Sequence, residues 1–413
     1  MKEFEEMGID EDFNPFYVEK GFKAPTGVQL KVIPKIMNNT SLVCVAQTGS
    51  GKTLAYALPI SELVKRLEDE EGLSQGKSRP KAIIVLPTKE LAMQIQGIFK
   101  QLSHHAKLRV RTLVGKSKTS IKTQCYEILI TTPAKLSRAV KAKDVHFSDL
   151  KYLVFDEADQ LFDMGFKKDI EGIIYHVDYD STDIHFFSAT MPLEVEDYLN
   201  HKFKKKELEK VLLSSAHKMQ QKIETFNIFL APHEKKRMLK LFLTKTVSGR
   251  GIIFINQKNQ VEEVDTFLKE EMPKLRYKVL HGGLMERERL AAHKAFVNKK
   301  AQVLVCTDVA ARGIDIDDVE WILNFGLPKT PIYYLHRCGR TARAGRSGSV
   351  YNMVTHFDAK TIEMINETIK SQSTFDMKLI DKDFQEVRKK KAPSKKKPKT
   401  KTKRVKVTKR TRF

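Results

Sequence analysis

The residues best equipped for chemistry lie in the stretch Ala46-Gln-Thr-Gly-Ser-Gly-Lys-Thr53. Gly49 and Gly51 let a backbone turn so that its N–H groups face an anion. Lys52 then brings an ammonium to the β- and γ-phosphates of a nucleotide, and Thr53 offers a hydroxyl to Mg2+. The usual first glycine of such a loop is replaced by Ala46. A second cluster closes the apolar run Tyr152-Leu-Val-Phe-Asp-Glu-Ala-Asp159. A carboxylate in that place can hold Mg2+ through water, and its neighbour can orient an attacking water. Together the two clusters describe hydrolysis of a nucleoside triphosphate.

Such groups need rigid elements to hold them. The apolar run Ser41–Ala46 reads as a strand leading into the loop, and Lys52–Arg66 as a helix leading out of it. Ala82–Leu86 is a further strand, followed by a helix with Leu91, Ile95, Ile98 and Leu102 at helical spacing. Glu127–Thr131, Tyr152–Phe155 and Ile184–Phe187 complete a first series. Their apolar content, without polar alternation, is that of strands buried on both faces, as in a parallel sheet. A second series comprises Phe226–Leu230, Gly251–Ile255, Tyr277–Leu280, Gln302–Cys306, Trp321–Phe325 and Gly348–Val354. No internal repeat is visible, and the mixed-charge run 202–210 reads as a solvated helix face. Two α/β domains are expected, at 1–213 and 223–375, joined by a polar linker over 214–222 and followed by a tail, 376–413.

The chain has 413 residues and a formal net charge of +23. Fifteen Lys or Arg and no acid fall within 388–413, which leaves +8 for everything before them. Such a block repels itself and is expected to be disordered, with a polyanion as its natural partner. At 41% hydrophobic residues the chain has ample material for a core. No apolar run is long enough for a membrane-spanning helix, and the acidic first ten residues lack the apolar core of a secretory signal. Cys44, Cys125, Cys306 and Cys338 form no CxxC pair. They read as reduced thiols in a reducing compartment rather than zinc ligands or disulfides.

Across about residues 4–355 the chain resembles the DEAD-box RNA helicases. Eight motifs carry the likeness in the family's order. They are Phe4 with Gly21-Phe22-Lys23-Ala24-Pro25-Thr26 and Gln29; the loop 46–53; Pro87-Thr88-Lys89-Glu90-Leu91-Ala92; Asp156-Glu157-Ala158-Asp159; Ser188-Ala189-Thr190; Ile252-Ile253-Phe254-Ile255-Asn256; Thr307-Asp308-Val309-Ala310-Ala311-Arg312-Gly313-Ile314-Asp315; and His336-Arg337-Cys338-Gly339-Arg340-Thr341-Ala342-Arg343.

The resemblance implies two tandem RecA-like domains with ATP and RNA bound across their cleft, and local unwinding of RNA duplexes or remodelling of RNA-protein complexes. It implies that Gln29 reads adenine, that Phe4 stacks on the base, and that Lys23 belongs to the same pocket. Thr48, Gly49, Ser50, Gly51, Lys52 and Thr53 would cradle the phosphates. Thr53 and Asp156 would hold Mg2+, Glu157 would act on the attacking water, and Asp315 would contact the ribose. Arg340 and Arg343 match the arginine fingers of the second domain. Thr88, Lys89, Lys135, Ser188, Thr190, Arg289, Thr307 and His336 match positions that bind RNA or couple it to the nucleotide. A cytoplasmic monomer acting on structured or duplex RNA, without membrane attachment, is the expectation, with ribosomal or ribonucleoprotein partners left open.

Two other readings share the architecture. One is a translocating DNA helicase, against which Gln29 and Asp156-Glu157-Ala158-Asp159 stand. The other is a non-catalytic RNA clamp, against which Lys52, Glu157, Arg340 and Arg343 stand. The departures from the family fall on the RNA side: Lys89 for Arg, Ala134-Lys135 for Gly-Arg, Lys116 for Gly, and Glu286 for Gln. Lys lacks the forked geometry of Arg, and Glu286 sets a negative charge toward phosphate. The basic tail is expected to compensate by unspecific attraction.

Overall fold

The computed structural model describes residues 2–368, apart from 47–48, 73–75, 116–120, 205, 214–222, 312–318, 329–330 and 343–346, together with 407–412. The chain divides into two compact units, Met1–Ala216 and His217–Phe413. The expected linker 214–222 lies outside the described residues.

The first unit is built on β1 (Leu42–Val45), β2 (Ala82–Val85), β3 (Val110–Leu113), β4 (Ile128–Thr131), β5 (Tyr152–Phe155), β6 (Asp183–Ser188) and β7 (Glu209–Leu212). Their order is β3-β4-β2-β5-β6-β1-β7, and every pairing is parallel. Every residue of β1, β2, β4 and β5 is buried, which is why these strands are unbroken apolar runs in the sequence. Helices cover both faces. On one side α3 (Gly27–Met37), α4 (Lys52–Glu71) and α5 (Lys89–Ala106) bring Val32, Tyr56 and Phe99 into one core. On the other, α6 (Pro133–Lys141), α7 (Ala158–Asp163), α8 (Lys167–Ile174) and α9 (Leu193–Lys202) bring Leu136, Leu161, Ile170 and Leu199 into a second.

The second unit has β8 (Ile223–Phe229), β9 (Gly251–Phe254), β10 (Tyr277–Leu280), β11 (Val303–Cys306), β12 (Trp321–Asn324), β13 (Gly348–Val354) and β14 (Val407–Arg412), ordered β10-β11-β9-β12-β13-β8-β14. Rank for rank this is the order of the first sheet: third, fourth, second, fifth, sixth, first, seventh. The sequence shows no repeat because crossover handedness and burial set strand order, and neither needs particular residues. The one difference is that β14 runs antiparallel to β8.

Three of the four sheet edges depart from the sequence expectation, and the fourth, β10, matches it. Strand β3 was not anticipated, and the run 202–210 is not a single helix face: α9 ends at Lys202 and β7 begins at Glu209, with only Val211 of that strand buried. Charged side chains on an edge strand discourage pairing with another chain while masking the strand's apolar signature. Of the tail expected to be disordered, residues 407–412 are described and form β14. Among the described residues, no helix is long and apolar enough to cross a membrane.

Candidate active site

In the first unit every motif after the Gln29 segment sits where a strand ends. The phosphate loop follows β1, Thr88 follows β2, Thr132 follows β4, Asp156 and Glu157 follow β5, and Ser188 closes β6. Parallel strands bring these C-terminal ends to one edge of the sheet, the place where α/β folds bind ligands. Gly51 caps α4 with φ of 93°, and Gly49 has φ of 78°. A Cβ on Gly51 would lie 2.7 Å from Gln29 Nε2 and 2.9 Å from Thr26 Oγ1, so glycine is required there for space as well as conformation. Lys52 Nζ donates to Ala46 O at 2.6 Å, across its own loop. The buried Ser50 Oγ has no partner among the described residues. An orphaned hydroxyl, a buried ammonium and a glycine-lined turn at the start of α4 fit a phosphate chain. Gln47 and Thr48 lie outside the described residues.

Gln29 is 4% exposed, and both ends of its carboxamide are engaged. Its Oε1 accepts from Thr26 N–H at 2.8 Å, completing a capping box on α3, and its Nε2 donates to Gly51 O at 3.2 Å. Gln29 thus ties the start of α3 to the phosphate loop. Lys23 is exposed. Phe4 differs from the expectation: it is 1% exposed and stacked on Tyr17, with centroids 4.4 Å apart. The short helix α1 (Lys2–Glu6) folds that ring into the core, which leaves no open face to take a base.

Asp156 is 5% exposed. Its Oδ1 accepts the Glu157 N–H and its Oδ2 the Tyr56 hydroxyl, each at 2.8 Å. Burial first, and the Glu157 charge second, push its carboxyl up to about 7, with Lys52 acting in the opposite direction. The buried Asp156 carboxyl, with the Thr53 hydroxyl one helical turn from its partner Tyr56, is a hard-oxygen donor set that fits Mg2+. Glu157 itself has φ of 51° and ψ of 50°, the left-handed region, for a non-glycine residue. Such a conformation costs on the order of 1–3 kcal/mol and persists where the surroundings fix it. The Glu157 Oε2 accepts from Gln160 Nε2 at 3.0 Å.

Asp159 joins this strand end to the next. Its N–H donates to Ser188 Oγ at 3.1 Å, and its Oδ2 accepts from the N–H and hydroxyl of Thr190 at 3.1 and 2.6 Å. The residues of the Ser-Ala-Thr motif are therefore bonded to the acidic motif directly. On the neighbouring strand ends, the Thr88 hydroxyl accepts from Leu91 N–H at 3.3 Å and caps α5, and Lys89 opens that helix near Gly115. Lys135 is half-buried in the first turn of α6. Lys116 lies outside the described residues.

In the second unit the organising group is Arg337, fully buried on α14 (Pro331–Cys338). Its fork grips Asp308 at 2.6 and 2.7 Å, and it also donates to Asn324 Oδ1, Gly326 O and Asn256 Oδ1, each at 2.8 Å. One guanidinium thus gathers the ends of β9 and β12 and the short helix α13 (Asp308–Ala311). Thr307 lies just before α13, the buried His336 adjoins Arg337, and the half-buried Arg340 follows α14. Arg289 lies on α12 (Glu286–Val297). Asp315 and Arg343 lie outside the described residues. Sequence reasoning passed over three members of these clusters: Asp159, Arg337 and Tyr56. The first two stand inside motifs already singled out. Tyr56 could have been found as the residue one helical turn beyond Thr53.

Residues 26–198 match the DEAD/DEAH box helicase family, and residues 234–345 match the helicase conserved C-terminal domain. The chain is 32% identical over 375 residues to the DEAD-box ATP-dependent RNA helicase RhpA of Helicobacter pylori (strain B128), covering 89% of this chain and 73% of that protein. It is 32% identical over 379 residues to the ATP-dependent RNA helicase SrmB of Escherichia coli (strain K12), covering 89% and 83%. A structure of the DEAD-box helicase Mss116 bound to ssRNA and UDP-BeF superposes with a TM-score of 0.77 at 25% identity, covering 89% of this chain and 76% of that one.

Proposed function

The chain belongs to the DEAD-box ATP-dependent RNA helicases, and from that premise we propose which of its residues perform each part of the work. Thr48, Gly49, Ser50, Gly51 and Lys52 hold the phosphates of ATP, with Gln29 and Lys23 toward the base and Asp315 toward the ribose. Thr53 and Asp156 hold Mg2+, which when bound supplies positive charge to the β- and γ-phosphate oxygens. Glu157 orients the attacking water and takes its proton. Arg340 and Arg343 stabilise charge on the transferring phosphoryl group, a contribution on the order of 10³–10⁵ in rate in related systems.

The observation that carries this reading is the Asp156–Glu157 pair, its buried first carboxyl pinned by two donors and its half-buried second held on a left-handed backbone. RNA is the partner, with Thr88, Lys89, Lys135, Arg289 and Thr307 on its side and Ser188, Thr190 and His336 relaying its presence. The hydrogen bonds that join Asp159 to Ser188, as donor, and to Thr190, as acceptor, support that relay. A cytoplasmic monomer acting on ribosomal or other ribonucleoprotein RNA completes the proposal. Free, buried Cys44, Cys306 and Cys338 fit a reducing compartment. The test is Glu157→Gln, with ATPase rate and ATP affinity measured side by side. The variant should bind ATP as wild type does and lose turnover by two orders of magnitude or more; equal hydrolysis by both proteins overturns the assignment.

A further inference from the structure

Tyr56 lies on α4, three residues after Thr53 and four after Lys52, so all three side chains share one face of the helix. Its ring is fully buried and packs on Phe187, with centroids 4.9 Å apart, and near Phe99, at 6.3 Å. Phenylalanine would fill that space equally well. A buried hydroxyl costs free energy unless it is bonded, and this one is spent on a single acceptor of the site: it donates to Asp156 Oδ2 at 2.8 Å. The other oxygen of the same carboxylate accepts the Glu157 N–H at 2.8 Å. Asp156 is thereby held at both ends, once by the strand end that carries it and once by the helix that carries Lys52 and Thr53. The Thr53 side chain also bonds to the Tyr56 hydroxyl. The phenol oxygen therefore stands between the two side chains assigned above to Mg2+.

We infer that Tyr56 is a positioning residue for the cation site, its hydroxyl fixing the orientation of Asp156 relative to Thr53 and so setting the affinity of the nucleotide-bound protein for Mg2+. The inference rests on the assignment of Asp156 and Thr53 to Mg2+. Groups that hydrogen-bond to metal ligands, without touching the metal, typically contribute 10- to 100-fold to its affinity. A purely structural tyrosine would contribute to folding alone.

The experiment compares wild type with Tyr56→Phe, both full-length, by titrating Mg2+ against the binding of a fluorescent ATP analogue, with a parallel titration in EDTA and a melting curve. Tyr56→Phe should melt close to wild type and bind the analogue in EDTA as wild type does. It should need about tenfold more Mg2+ to reach the half-maximal change. An unchanged Mg2+ midpoint beside a Mg2+-dependent wild type overturns the inference and leaves the Mg2+ assignment standing. A wild type indifferent to Mg2+ overturns the assignment itself, and the inference with it. Tyr56→Met, which fills the space with an adaptable side chain and no hydroxyl, gives the same comparison should the phenylalanine variant fail to fold.

Discussion

Glu157 and His185 show how far single residues of the first unit depart from ordinary surroundings. The left-handed backbone of Glu157 is a local cost sustained by the site around it. His185, on β6, is entirely buried, and neither ring nitrogen has a partner among the described residues. Burial, and to a lesser extent the Lys206 charge, depress its imidazole to about 3. The folded protein therefore refuses a proton that the unfolded chain accepts below about 6.5. Stability from this group is present above that pH and is lost as pH falls from about 6.5 toward 3, at up to about 1.4 kcal/mol per pH unit. His185→Leu should remove that part of the acid sensitivity. Urea unfolding at pH 7 and pH 5 should show a smaller loss for the variant than for wild type, and equal losses would contradict the attribution. The sequence places His185 in the run Ile184–Phe187, read as a strand buried on both faces; that neither ring nitrogen finds a partner there is a property of the packed sheet.

The phosphate loop is the element on which sequence and structure agree most closely. Glycines, lysine and threonine in that order require a strand before and a helix after, and β1 and α4 supply them. What the order of residues did not reveal is the approach of α3, whose Gln29 and Thr26 close on Gly51. Gly51→Ala sets a methyl in the left-handed region, a cost of about 1–2 kcal/mol, and drives Gln29 from its bond to the loop. ATP affinity measured by fluorescence titration should fall at least tenfold, with a smaller change in melting temperature. The central strands were legible because burial on both faces writes an apolar run. Of the four edge strands, β10 was legible, whereas β3, β7 and β14 were not, because an edge tends to be polar and its pairing depends on distant residues. Phe4 failed for the complementary reason: its type fits a base and a core equally, and only the packing of α1 against Tyr17 decides between them.

At the scale of the whole molecule, two sheets of one strand order stand in one chain, and the +23 charge separates into a core near +8 and a strongly basic terminus. Eleven of the terminal cations lie within 388–404, ahead of β14. Replacing those eleven with Gln or Ser tests the tail's role without touching the strand paired to β8. The RNA concentration for half-maximal ATPase stimulation should rise at low salt, and the difference from wild type should shrink as salt is raised, as counterion release requires. An unchanged concentration would leave the softened positions Lys89, Ala134, Lys135 and Glu286 without compensation from the tail. The function proposed for this chain requires that RNA, rather than any polyanion, promote ATP turnover. The most direct measurement is the steady-state ATPase rate of the full-length protein with matched RNA and DNA strands and with neither. RNA should raise the rate at least severalfold while DNA leaves it near the unstimulated value; equal rates in all three, or equal stimulation by RNA and DNA, would contradict it.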